Sequence, residues 1–332
     1  NDTLTGAMVN AYNTSGLLQQ NRAVLRAADE DVATAASQLA PVVSWASSAS
    51  HSGSDSSSFD TSASISLEAD YTLYDGGKSS LGLEAAKFSV LATRSKLVSI
   101  EQNVLFEAVT AYLGLIRETE NVSLRENNLS VIREELRAAN DRFEVGEITK
   151  TDVALAEARL AASNSALAVA KGSYEKAVAS YVSAIGEKPG SLEYPNFFPE
   201  VPISLESAIA IALTEHPSID ELKNLIKVSE INSKIADLST GFTISLGSSL
   251  SLDEEGETDG SLSVTASGPI FSGGKLYSSS RKKIALKEQV LARLYSSKIS
   301  IEQNVTNAFS QVQVAEAAKL AAEEQIRATE VA

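Results

Sequence analysis

From Phe59 to Leu73 the chain alternates with a period of two. Phe59, Thr61, Ala63, Ile65, Leu67, Ala69, Tyr71 and Leu73 are apolar or small, and Asp60, Ser62, Ser64, Ser66, Glu68, Asp70 and Thr72 stand between them. About 15 residues of such alternation predict a long half-exposed strand. Its hairpin partner is Val42 to Ser50, joined through "HSGSDSSS". A second hairpin follows the same plan. Phe242, Ile244 and Leu246 alternate toward Leu252, "DEEGETDG" makes the turn, and Leu262, Val264 and Ala266 return. Strands of about 10 residues with one polar and one weakly apolar face fit a transmembrane β-barrel. Alternation alone fits a small solvated sheet equally well. Aromatic residues cluster near the strand ends (Trp45, Phe59, Tyr71, Tyr74, Phe271, Tyr277), where an interfacial girdle would place them. Four strands cannot close a barrel, which takes about eight. Open edges are not tolerated in lipid. Strands that span a membrane here therefore require several chains in one barrel, and three chains supply 12 strands.

The remaining pattern is helical. Leu4 to Leu39 reads as Ala-rich helix with a soft break near Asn13–Gly16, and Leu205 to Leu238 as its counterpart with a break at His216-Pro217. No proline lies between Pro41 and Pro189, and none follows Pro269. Interior proline breaks helices, so those spans hold the long ones. Lys78 to Phe143 predicts a helix of roughly 65 residues, ~100 Å long. The chain turns at "VGE" and returns from Thr151 to Ile185. Gly146 suits a left-handed cap, and Thr149 or Thr151 can cap the return helix. Leu115, Val122, Leu129, Leu136 and Phe143 recur every seventh residue, with Ile132 and Ala139 between them. Val153, Leu160, Leu167, Tyr174 and Tyr181 do the same on the return helix, against Ala156, Ser163, Ala170, Ala177 and Ala184. Large residues at one seam position and small ones at the other predict a close antiparallel coiled coil. Pro189, Pro195, Pro199 and Pro202 mark a surface linker, with "YPNFFP" supplying apolar anchors.

The hexapeptide "SIEQNV" stands at Ser99–Val104 and again at Ser300–Val305. The offset of about 201 residues also relates Leu4, Ala7 and Ala11 to Leu205, Ala208 and Ala212. "YDGGK" at Tyr74–Lys78 returns as "FSGGK" at Phe271–Lys275, at an offset of about 197. An offset that shifts by four and then recovers predicts a tandem duplication. Repeat 1 covers residues 1–201: helix 4–39, β-hairpin 42–74, long helix 78–143, tip 144–150, return helix 151–185 and linker 186–203. Repeat 2 covers 202–332: helix 205–238, β-hairpin 241–271 and long helix 275–332, with about 70 residues of tip and return helix expected beyond it.

Composition narrows the class. Hydrophobic residues make up 43% of the 332, enough for a core, and the net charge is −15. That acidity argues against a nucleic-acid partner, whose phosphates need Lys and Arg. The absence of cysteine removes disulfides, zinc–thiolate sites, thiol nucleophiles and a lipidated N-terminal Cys. No leader is visible, so the N-terminus reads as mature or trimmed. No run of about 20 apolar residues is present, so any membrane span is expected to be β.

"YDGGK" after a strand, the proline-free helix, "RFEVGEITKTDVALAEARLA" at Arg142–Ala161 and "PVVS" at Pro41–Ser44 together resemble the TolC family of outer-membrane channel-tunnels. The resemblance covers essentially the whole chain, and "RFEVG…T…DV" is its most specific element. It implies a mainly α fold with β: a long antiparallel coiled-coil α-helical barrel, plus β-hairpins contributing to a shared 12-strand transmembrane β-barrel in a homotrimer. It implies an exit duct in the outer membrane of a Gram-negative cell, extending into the periplasm, for type I secretion or drug efflux. Partners would be outer-membrane lipid, a periplasmic adaptor (membrane fusion) protein and an inner-membrane transporter. No enzyme activity and no cofactor are implied. Val145, Gly146, Glu147, Ile148 and Thr149 match the adaptor-docking tip. Thr151 and Asp152 match a pair that helps hold the periplasmic gate shut. Simple helix capping by Asp152, in the first turn of the return helix, is the alternative.

Other chemistry finds little support. His51 lies in a Ser-rich loop and His216 precedes Pro217; neither pairs with a recognisable nucleophile. "DEEGETDG" lacks the ligand spacing and terminal Glu of a calcium loop. "GGK" at Gly76 and Gly273 lacks phosphate-loop spacing and reads as a strand-to-helix corner. No metal site is expected. A soluble coiled-coil scaffold or periplasmic adaptor without a membrane barrel is the competing expectation, and an enzyme on a helical scaffold lacks a site.

Overall fold

The computed structural model describes residues 3–53 and 60–331, with Asp60 and Val331 described by their backbone alone. Residues 1–2, residues 54–58 of the expected hairpin connection, Phe59 of the expected strand, and Ala332 lie outside the described residues. The chain is mostly helical. Its order is α1 (Leu4–Thr14), α2 (Gly16–Ser37), β1 (Val42–Ser52), β2 (Asp60–Tyr74), α3 (Lys78–Glu144), α4 (Lys150–Ile185), α5 (Leu205–Glu215), α6 (Pro217–Leu238), β3 (Thr243–Asp253), β4 (Thr258–Ser267) and α7 (Lys275–Val331). No described helix is long and apolar enough to cross a membrane. Two compact units result: Asn1–Asn21 with Val98–Val201, and Arg22–Leu97 with Pro202–Ala332.

The first unit is helical and built on the α3–α4 pair. Tyr112 lies beside Tyr181, with ring centroids 6.4 Å apart. Glu126 pairs with Lys171 at 2.9 Å, and Asn128 donates to Ser163 at 3.4 Å. One number rises as the other falls, so the helices run antiparallel. The heptad seam is what they bury. Every seam position of α4 from Val153 to Ala184 is buried or half-buried, and so are Leu115, Val122, Leu129, Ile132, Leu136 and Ala139 of α3. Phe143 departs from the expectation at 43% exposure, one residue from the end of α3. The break between α1 and α2 falls at Ser15, whose hydroxyl accepts from the Leu18 amide. At the far end of α4, Gly186 adopts φ 87° and its amide donates to the Val182 carbonyl. That left-handed turn presses on α1: a Cβ at Gly186 would meet the Thr14 hydroxyl at 2.7 Å. Thr14 in turn donates to the Ile185 carbonyl at 3.0 Å.

The linker is held differently from the sequence expectation. Its aromatics Tyr194, Phe197 and Phe198 are exposed, and of these Tyr194 reaches α3 by a side-chain hydrogen bond to Glu120. The anchor is Tyr112, a fully buried residue of α3. Its hydroxyl donates to the Glu193 carbonyl at 2.7 Å and accepts from the Glu193 amide at 3.1 Å.

The second unit carries the sheet. Its order is β1-β2-β3-β4, and each neighbouring pair is antiparallel. The register places Trp45 beside Leu67, Leu67 beside Leu250, Tyr71 beside Leu246, and Leu246 beside Val264. One apolar face thus crosses all four strands, and it is open: Trp45 is 72% exposed and Leu262 74%. Hydroxyls cover the other face. Ser48 bonds Ser64 at 3.0 Å, Ser50 bonds Ser62 at 2.8 Å, and Ser249 bonds Ser261 at 2.8 Å. The edges of the sheet are β1 and β4. Both strand-to-helix corners use a left-handed glycine pair, Gly76-Gly77 and Gly273-Gly274. Asp75 fastens the first corner by accepting from the amides of Gly77 and Ser79 at 2.8 and 2.7 Å. Beside the sheet, α5 and α6 pack on α7, burying Ile219, Leu222, Ile231, Ala236 and Ile301. His216 ends α5, as a residue before proline should. Its ring then caps α6 by accepting from the Ser218 amide at 3.2 Å.

Gly186→Ala should destabilise the first unit by about 2 kcal/mol, through both the strained backbone and the Thr14 clash. Thermal melting followed by helical circular dichroism checks this; an unchanged midpoint would contradict it.

Candidate docking tip and gate

The turn between α3 and α4 is set by two local motifs. Gly146 has φ 79°, its amide donates to the Phe143 carbonyl at 3.0 Å, and the Glu147 amide donates to the Arg142 carbonyl at 2.9 Å. This is a Schellman ending, which satisfies carbonyls that the last helical turn leaves open. Three residues later α4 begins with a capping box. Thr149 donates from its amide and its hydroxyl to one oxygen of Asp152, at 2.8 and 2.7 Å. The Asp152 amide donates back to the Thr149 hydroxyl at 3.4 Å. The Thr149 hydroxyl and then its amide hold the Asp152 carboxyl below its ordinary value.

The tip between these motifs is exposed, with one exception. Val145 stands 72% exposed, and Gly146, Glu147 and Thr149 are open. Ile148 turns partly inward and is half-buried. The tip therefore presents one apolar side chain, Val145, beside an acidic one. Of the residues matched to a gate, Asp152 is drawn into the capping box, while Thr151 is exposed and takes no part in it. Sequence reasoning left the cap open between Thr149 and Thr151, and the structure assigns it to Thr149. The spacing Thr149-x-x-Asp152 was the available signal. No periodicity in the sequence points to the Tyr112 anchor; its one signal is a tyrosine in an otherwise aliphatic stripe of α3.

Residues 8–187 match the outer membrane efflux protein family. The chain is similar to outer membrane efflux protein BepC of Brucella suis biovar 1 (strain 1330): 32% identical over 338 residues, covering 100% of this chain and 74% of BepC. It is also similar to alkaline protease secretion protein AprF of Pseudomonas aeruginosa, at 26% identity over 241 residues, covering 67% of this chain and 48% of AprF. The fold is similar to the crystal structure of the outer membrane protein VceC from Vibrio cholerae, with a TM-score of 0.82 at 18% identity, covering 93% of this chain and 79% of that one.

Thr149→Ala should speed exchange of the first α4 amides roughly fivefold, as loss of an N-cap does. The pH dependence has a definite sign. A carboxyl held low in the folded state supports its cap fully above the ordinary value of about 4. That support is lost as pH falls through the lowered value. Hydrogen exchange at Asp152 and Val153, corrected for intrinsic rates, reads both; protection that rises on acidification would overturn the capping account.

Proposed function

The chain belongs to the outer membrane efflux protein family, and from that premise we propose that it is one protomer of a trimeric exit duct. One observation carries the reading. A four-stranded antiparallel sheet exposes an apolar face, lines its other face with hydroxyls, and ends in two open edge strands. In lipid such edges must pair with further strands. Three copies joined β4 to β1 close a 12-strand barrel with hydroxyls inward and Trp45, Leu67, Leu250, Leu262 and Val264 toward lipid. The matching element order of the two halves supports a tandem duplication, with repeat 1 at residues 1–201 and repeat 2 from 202. The α3–α4 hairpin would form part of a periplasmic α-helical barrel. Its tip, Val145 to Thr149, would dock a periplasmic adaptor coupled to an inner-membrane transporter. Thr151 and Asp152 would belong to the periplasmic gate, where a hydrogen-bonded latch can be exchanged for other contacts at modest cost. The cargo class is small molecules or unfolded polypeptide, driven by the partner's energy. Similarity to an outer membrane efflux protein, BepC, and to an alkaline protease secretion protein, AprF, supports both routes.

Charge gives the duct a selectivity. No strand contains Lys or Arg, and the carboxylates Glu68 and Asp70 stand on the hydroxyl face. A lumen so lined favours cations.

Light scattering of the detergent-extracted full-length protein should give three copies per particle. A detergent-free monomer would replace the duct with a soluble scaffold. In planar bilayers under a salt gradient, reversal potentials should show cation preference, reduced by Glu68→Gln with Asp70→Asn. Anion preference in the parent protein would reject the charge assignment.

A further inference from the structure

Charge is unevenly placed along α7. Between Lys275 and Lys298 the helix carries seven Lys or Arg and a single acid, Glu288. Between Ile299 and Val331 it carries two basic residues and five acidic ones. The basic half is the one that leaves the sheet. The start of α3 has the same bias: Lys78, Lys87, Arg94 and Lys96 stand against Glu84 alone. Little within the chain neutralises the α7 group. Arg281 and Lys282 are exposed, and Lys283 and Lys287 half-buried. Among the described residues none of these four forms an ion pair. Arg281 donates to the Ser278 hydroxyl at 3.3 Å, a neutral partner.

Apolar side chains mark the same end of the sheet. Val42 opens β1, Tyr74 closes β2, and Ile270 and Phe271 lie between β4 and α7. All are exposed, Phe271 at 89%, and so is Tyr277 in the first turn of α7. Exposed aromatic and aliphatic residues followed at once by a Lys/Arg cluster are the pattern of a segment at a membrane surface, with rings at headgroup level and cations facing anionic lipid. Height decides which cations take part. At 1.5 Å per residue, Arg281, Lys282 and Lys283 stand about 9–12 Å along α7 from Lys275. A headgroup layer is roughly 5–8 Å deep, and the Debye length is about 8 Å at physiological salt, so their charges reach it. Arg293 and Lys298, about 27–35 Å along, do not reach it.

We propose that Arg281, Lys282 and Lys283, with Lys275 beside the sheet, hold the headgroups of anionic phospholipid in the membrane leaflet on the helical side. This rests on the duct reading, which puts the sheet in lipid, and it names the lipid class. Charge complementarity favours this occupant, since a zwitterionic headgroup offers these cations no net charge. The rival is an acidic segment of a second copy, such as the exposed Asp29, Glu30 and Asp31 of α2. Cations neutralised in that way would leave no preference for anionic lipid. The net charge of −15 by itself predicts repulsion of such lipid, so a preference for it must come from a local group.

Spin-labelled lipids test this. The full-length protein is reconstituted in mixed vesicles of phosphatidylethanolamine and phosphatidylglycerol. The motionally restricted fraction of spin-labelled phosphatidylglycerol is compared with that of spin-labelled phosphatidylcholine. The anionic probe should be held roughly fivefold more strongly, and high salt should bring the two together. Arg281→Gln with Lys282→Gln and Lys283→Gln should remove most of the preference, while Arg293→Gln with Lys298→Gln leaves it unchanged. Equal restriction of the two probes by the parent protein overturns the proposal and leaves the duct standing. So does a preference that neither salt nor the triple change reduces. The salt dependence is read on the parent protein, so a triple variant that does not fold leaves the test intact. A parent protein that fails to float with the vesicles overturns the duct itself.

Discussion

Backbone amides and carbonyls along a strand edge need partners, and hydrocarbon supplies none. That requirement reaches further than any side-chain contact in this protein. The four strands pair with one another across both halves of the sequence, since β2 from the first hairpin lies against β3 from the second. The inner edges are thereby used up within the chain, and β1 and β4 remain. The apolar face is open as well, so the sheet leaves both its edges and one face without partners within the chain.

A similar economy governs the helices. A coiled-coil seam of large against small residues lets α3 and α4 approach closely, and their pairing needs few polar contacts to hold direction. Polar groups are placed where the helices end. The Schellman turn at Gly146, the capping box at Thr149 and the left-handed Gly186 each satisfy groups that an ending helix leaves without partners. Rigid hairpin and defined tip thus come from separate residues. A change in the tip's exposed side chains need not disturb the seam.

The sequence carried different parts of this with different clarity. Period-two alternation located β2 to within a residue because the pleat itself has that period. Proline-free spans and the heptad located α3 and α4, since no competing pattern overlays them. Phe143 misled because periodicity continues to the last turn, while burial needs a partner opposite. "YPNFFP" misled for a related reason: aromatic composition indicates apolar surface but not its direction. The site was legible only as local chemistry. Gly146 and Thr149 announce themselves through backbone geometry. Val145 and Thr151 are exposed, and no pattern within one chain encodes what an exposed side chain meets.

The Tyr112 anchor has a consequence for how this protein can vary. Its hydroxyl grips the amide and carbonyl of residue 193. These two bonds are made to the backbone, so they call for no particular side chain at that position. Proline alone is forbidden, because it has no amide proton to give. The constraint sits instead on the distant partner, whose phenolic oxygen makes both bonds. A change of side chain at residue 193 other than to proline would leave this bond, and the path it fixes for the chain, in place.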